Sequence, residues 1–166
     1  MDTYTIGKEL ADLSVKKGVK SHQLNRLYEV LKTRDLKNFE AYVSRQIGRG
    51  MLNYEVGEKI LDLLKEFDNR EDVIKIHTFL LSFYPYFKVK PMYENKEKIE
   101  KIVEEECSKA GVKFRDADIE TRKEKFIINI KVSGYVNKKD FSFKLKGVLK
   151  NKVPELKEVI FQVWVN

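Results

Sequence analysis

One cysteine and two histidines are spread over 166 residues, and each scarcity removes a class of protein. The lone thiol, Cys107, excludes an intramolecular disulfide framework and fits a reducing cytoplasm. His22 and His77 stand 55 residues apart, with no cysteine or acidic partner at ligand spacing, so neither a metal nor a cofactor is expected. No apolar run reaches membrane-spanning length and no signal or transit peptide is evident, which predicts a soluble, cytoplasmic protein. A Gly-rich phosphate loop is also missing. Gly48 and Gly50 flank Arg49, but Walker A loops and dinucleotide fingerprints need a preceding strand. The expected structure there is a helix end and a flexible basic turn, able to lay a backbone N–H and Arg49 against a phosphate. No nucleophile beside a base and no paired carboxylates stand out, so no enzymatic activity is expected. Cys107 falls on the apolar line of its helix and reads as a small hydrophobe. His77, on an apolar helix, reads as a core or interface histidine, and the acidic run Glu104–Glu106 as a solvated surface.

What the chain does have is charge, unevenly placed. The formal net charge is +7. Lys- and Glu-rich, Gln-poor sequences also arise by adaptation to heat, so the local asymmetry is more informative than the total. Lys16 to Gly50 carries nine Lys or Arg against three acids, a net +6, while Met51 to Asp72 carries three against seven, a net −4. Such a boundary suits a surface built for a polyanion, and RNA is the expected one. Ser21 to Gly50 reads as two amphipathic helices meeting near Thr33 to Asp35, with Leu24, Leu27, Tyr28 and Leu31 on one apolar face and Leu36, Phe39, Val43 and Ile47 on the other. Arg45 and Arg49, four apart, share an outer face, and Lys20, Arg26 and Arg34 extend it. Such a surface would follow a phosphate backbone without reading bases, through counterion release.

Around this pair the spacing predicts a helix from Thr3 to Lys17 stopped by Gly18, and one from an Asn53 N-cap to Phe67. The latter carries the acidic stripe Glu55, Glu58, Asp62 and Glu66, either a solvated face or a complement to the basic face of a second copy. A helix apolar nearly all round follows from Glu71 to Tyr84, ended by Pro85. A short strand is then expected at Tyr86–Val89, a connector at Lys90–Asn95, a helix over Lys96–Ala110, and strands at Val112–Thr121 and Lys125–Tyr135 joined at Arg122–Glu124. Asn137–Val153 fits strand or helix and is read as helix because Pro154 then terminates it, with Val159–Val165 a last strand. The fold class is therefore α+β: an all-α helical bundle over 1–85, followed by a ferredoxin-like βαββαβ or αββαβ domain over 86–166. The strand Lys125–Lys131 holds one aromatic, so the base-stacking pattern of RNA-recognition modules is absent from it.

Two runs in the first half resemble a known family. Ser21-His22-Gln23-Leu24-Asn25-Arg26-Leu27-Tyr28 is similar to the Thr-Ser-Gln-Leu/Ile-Arg-Arg-Phe-Tyr run of the small helical subunit of type III-A (Csm-type) CRISPR effector complexes. Glu40-Ala41-Tyr42-Val43-Ser44-Arg45-Gln46-Ile47-Gly48-Arg49 resembles that family's second motif, an Ala-Tyr or Tyr-Tyr pair closing on Gly-Arg or Ala-x-Arg. Phe79-Leu80-Leu81-Ser82-Phe83-Tyr84 sits where the family has its last aromatic-rich helix. The resemblance spans Ile6 to Lys88 and implies a non-catalytic role in antiviral defence. Copies would line guide RNA and target RNA, hold the duplex by its backbone, and pack on one another and on other effector subunits. It adds Gln23 to the candidate RNA contacts and leaves Arg45 and Arg49 as alternative matches for one motif position. The rival reading is a transcription regulator, with residues 21–48 as a DNA-binding helix-turn-helix and the second half as a ligand-sensing, dimerising module.

Overall fold

The computed structural model describes residues 1–123, 125–156 and 158–166, and the chain divides into two compact units, Met1–Lys88 and Val89–Asn166. The class is α+β, with seven α-helices and a three-stranded sheet among the described residues.

In the first unit three helix starts are fixed by a capping side chain. Asp2 caps α1 (Thr3–Lys16) by accepting the Thr5 N–H at 2.7 Å, and the chain turns out of it through Gly18 at φ 70°. Asp35 caps α3 (Leu36–Gly48) through the Asn38 N–H at 2.8 Å, and Asn53 caps α4 (Tyr54–Glu66) through the Val56 N–H at 3.1 Å. Between α1 and α3, α2 (Ser21–Thr33) buries Leu24, Leu27 and Leu31 on one stripe. These side chains pack with Leu10 of α1, Phe39 and Val43 of α3, Val56 and Ile60 of α4, and Val73, Ile76 and Leu80 of α5 (Arg70–Glu94). Gly7 permits the approach of α1 to α5: a Cβ there would lie 2.5 Å from Phe79 Cβ and 2.6 Å from the Ile76 carbonyl oxygen. Backbone cannot swing aside as a side-chain tip can. Gly7→Ala is therefore expected to lower stability by about 2 kcal/mol despite alanine's better helix propensity, as read by urea denaturation; an unchanged midpoint would show that the two helices separate without cost.

The sequence places a helix end at Pro85, a strand at Tyr86–Val89 and a connector at Lys90–Asn95, and all three expectations are overturned. α5 runs without a break through Pro85 and Pro91 to Glu94. Proline removes one i→i−4 hydrogen bond but its fixed φ is helical. Pro85 is exposed, where water can take the freed carbonyl. The flanking side chains repay continuity: Tyr84 is buried with its hydroxyl donating to the Val19 carbonyl at 2.6 Å, and Met92 is fully buried. With no strand at Tyr86–Val89, the βαββαβ alternative is excluded.

The second unit has the order α6 (Lys96–Ala110), β1 (Lys113–Arg122), β2 (Lys125–Ser133), α7 (Lys138–Lys152), β3 (Ile160–Val165). Gly111 at φ 71° ends α6 and Asn137 caps α7, so the ambiguous stretch is helical. Of the turn expected at Arg122–Glu124, Glu124 lies outside the described residues. β1 and β2 are antiparallel, with a bulge between Phe114 and Asp116, while β2 and β3 run parallel, with α7 as the crossover a parallel pair requires. Ile128, Ile130 and Val132 of β2 and Phe161 and Val163 of β3 face a core completed by Ile99 and Val103 of α6 and Phe141 and Leu145 of α7. Cys107 is buried there, and burial raises its thiol pKa. Within the acidic run, Glu104 and Glu105 are exposed, but Glu106 is buried and ion-paired to Lys109 at 3.2 Å, correcting the solvated reading for that residue.

Candidate nucleic-acid interface

α2 and α3 are joined by Arg34 and Asp35, both extended, so the two helices follow one another with no looser linker. Where they meet the α3–α4 turn, His22, Gln23, Arg26 and Leu27 of α2 line a cleft with Tyr42 and Gln46 of α3 and Met51 and Leu52. Leu24, Phe39 and Val43 on the inner stripes of these helices are fully buried, so the outer residues of both helices are set by the packing of the inner ones.

The candidate residues do not all fall in one place. Arg26 borders the cleft and is exposed. Arg45 on α3 and Arg49 at its C-cap are exposed, each three residues beyond a cleft-lining side chain, Tyr42 and Gln46 respectively, and hence on the adjoining face. Arg34 stands apart: eleven residues of chain, most of them helical at ~1.5 Å each, separate it from Arg45. Lys20 is exposed at the start of α2. None of Lys20, Arg26, Arg34, Arg45 and Arg49 forms an ion pair with another described residue. The neighbouring cations differ. Lys16 pairs with Asp12 at 2.9 Å, Lys17 with Glu55 at 3.1 Å, and Lys32 lies 5.3 Å from the centre of the Tyr28 ring.

Gln23 has a different task. Its Oε1 accepts the Lys20 N–H at 2.9 Å, and its Nε2 donates to the Met51 carbonyl. Its amide thereby ties the start of α2 to the α3–α4 turn and shapes the cleft wall. The turn after α3 also departs from expectation. The N–H of Arg49 goes to the Arg45 carbonyl, that of Gly50 to Ile47, and those of Met51 and Leu52 to Gln46, so its amides close the helix end and only the Arg49 side chain is left for a phosphate. On α4, Glu55 and Asp62 of the acidic stripe are paired with Lys17 and Lys65.

Sequence reading missed Arg70, whose Nε donates to the Leu31 carbonyl at 3.0 Å and whose Nη2 reaches the Lys32 carbonyl. It satisfies the C-terminal carbonyls of α2 from 38 residues away, a contact with no local signal. Behind α3, His77 is fully buried, 5.5 Å from the Phe39 ring centre and edge-on to it. Its Nδ1 meets the Val73 carbonyl at 3.2 Å, and its Nε2 has no hydrogen-bond partner among the described residues. Burial lowers its pKa from 6.5 to about 4, against a smaller opposing effect of the Val73 carbonyl.

No helix among the described residues is long and apolar enough to cross a membrane. The chain matches no protein-family model, no curated protein and no solved structure.

Proposed function

We propose that this is a non-catalytic RNA-backbone-binding protein, acting through the outer faces of α2 and α3. The observation that carries the reading is the state of Arg26, Arg45 and Arg49: exposed, without carboxylate partners among the described residues, and gathered on and beside one cleft by two helices whose inner faces are locked in the core. Guanidinium groups held this way match phosphate oxygens in charge and geometry. More narrowly, the two motif-like runs around Gln23–Arg26 and Tyr42–Arg49 support a small subunit of a type III CRISPR ribonucleoprotein, with copies along guide RNA and target RNA beside other effector subunits. A cytoplasmic setting suits the single buried thiol. The αββαβ order of the second unit, with α6 and α7 on one core face of the sheet, supports a ferredoxin-like relationship that a fourth strand would be needed to complete.

Changing Arg26, Arg45 and Arg49 together to Glu is expected to weaken binding of a guide–target RNA duplex at least about tenfold at moderate salt, and to flatten its salt dependence. Unaltered affinity in a protein with an unaltered melting curve rejects the assigned surface. Duplex DNA competing equally well with that RNA would favour the helix-turn-helix rival, which the two-residue α2–α3 connection disfavours because such motifs turn over three or four residues, often through Gly.

A further inference from the structure

The most cationic element in the protein lies outside the surface just described. α7 holds six lysines and one acid, Asp140, in fifteen residues. α6 is also lysine-rich, but it interleaves glutamates and pairs Lys96 with Glu100 and Lys109 with Glu106. No lysine of α7 forms an ion pair with a described residue. Three have local roles: Lys138 lies 5.9 Å from the Trp164 ring centre, Lys144 borders a depression with Glu106, and Lys152 borders another with Glu94 and Glu105. The remaining three, Lys139, Lys146 and Lys150, fall with Phe143 at positions i, i+7, i+11 and i+4, a single stripe on the side away from buried Phe141, Leu145 and Leu149.

Helix stability accounts for only part of the arrangement. Asp140 in the first turn and Lys150 and Lys152 in the last suit the helix dipole, but Lys139 in the first turn opposes it, and Lys146 and Lys150 are like charges one turn apart. Phe143 is 81% exposed. Gly147 occupies the position one turn further on, and a Cβ there would meet nothing within 4 Å. Helical side chains lean toward the N-terminus, so any larger residue at 147 would lie over the Phe143 ring. Glycine in a helix interior is unfavourable and has no packing reason here. It leaves an aromatic face open among three cations.

We propose that this α7 stripe is a docking surface for single-stranded nucleic acid, with Phe143 stacking a base and Lys139, Lys146 and Lys150 holding the phosphates on either side. Stacking tolerates any base, and the lysines supply charge without base readout. An anionic membrane fits less well, because the apolar face of α7 is already spent on the core and Phe143 alone remains to insert. The surface is distinct from α2 and α3 and does not require their role.

The test uses the full chain carrying Arg26, Arg45 and Arg49 changed to Glu, so that the first surface is silent, and measures fluorescence anisotropy with an oligouridine about twelve nucleotides long. Phe143→Ser is expected to weaken binding about tenfold, with Phe143→Trp restoring it. Lys139→Glu, Lys146→Glu and Lys150→Glu together are expected to weaken it at least about tenfold and to reduce the salt slope by about two. Gly147→Leu separates function from folding: the melting temperature rises while affinity falls. The proposal is overturned if Phe143→Ser and the triple lysine variant bind as their parent does, if a duplex of equal length binds as well as the single strand, or if phosphatidylserine vesicles or an acidic polypeptide are held with the same dependence on Phe143.

Discussion

Phe39→Ala is expected to cost the first unit about 4 kcal/mol. The ring is fully buried, anchors α3, and packs edge-on against His77 at 83° with ring centres 5.5 Å apart. Truncation to a methyl group removes most of the transfer free energy of an aromatic side chain and leaves a cavity that the locked inner stripes of α2, α4 and α5 cannot readily fill. A second consequence follows from what borders that cavity. The His77 Nε2 lacks a partner among the described residues, and water entering the vacated space can donate to it. The variant is therefore expected to show two signs together: a large drop in the urea midpoint, and a His77 pKa moved back toward 6.5 in an NMR titration. Phe39→Leu, which keeps most of the volume, should show a fraction of both. A loss below about 1 kcal/mol would mean that the site collapses around the smaller side chain. Because Arg45 and Arg49 follow Phe39 along α3 and its C-cap, the RNA binding proposed above should weaken in Phe39→Ala with no cation removed.

How much of this was legible beforehand depended on whether the cause was local. Helix starts at Asp2, Asp35 and Asn53 rest on a side chain meeting an amide three residues on, and the apolar spacing of α2 and α3 needs only its own period. Gly18 and Gly111 announce helix ends because their backbone is left-handed, at φ 70° and 71°. What misled was proline. Pro85 and Pro91 are breakers by local rule, yet burial of Tyr84 and Met92 outweighs the hydrogen bond each proline removes, and the helix continues where the local rule predicts a strand. The cationic surface was half legible. Charge counting finds Arg26, Arg45 and Arg49, but it also counts Lys16 and Lys17, which are neutralised by Asp12 and Glu55, and it cannot show that Gln23 spends its amide on Lys20 and Met51. Arg70 was invisible because its partners are the Leu31 and Lys32 carbonyls, far off in sequence. The α7 stripe was within reach: once the strand alternative is dropped, lysines at 139, 146 and 150 with Phe143 are a one-face pattern.

Acidification should destabilise the fold through His77, by about 3 kcal/mol between neutral pH and pH 4. The group is held at a pKa of about 4 by burial, whereas in the unfolded chain it titrates at 6.5. Above 6.5 it is neutral in both states and contributes no pH dependence. As pH falls from 6.5 toward 4, the unfolded chain binds a proton that the fold does not, so equilibrium shifts toward unfolding; below 4 both states are protonated and the effect levels off. No carboxylate among the described residues pairs with the ring, whose contacts are the Val73 carbonyl and the Phe39 ring. His77→Leu removes the titration and the unpartnered nitrogen together, and is therefore expected to match or exceed the wild type in stability at pH 5 while giving up the small hydrogen bond to Val73. Urea midpoints of the two proteins at pH 7, 6 and 5 check this, with His22 and the carboxylates common to both and cancelling in the difference. Parallel curves would show that His77 takes up its proton within the fold, and that the core around Phe39 opens to water more readily than its burial indicates.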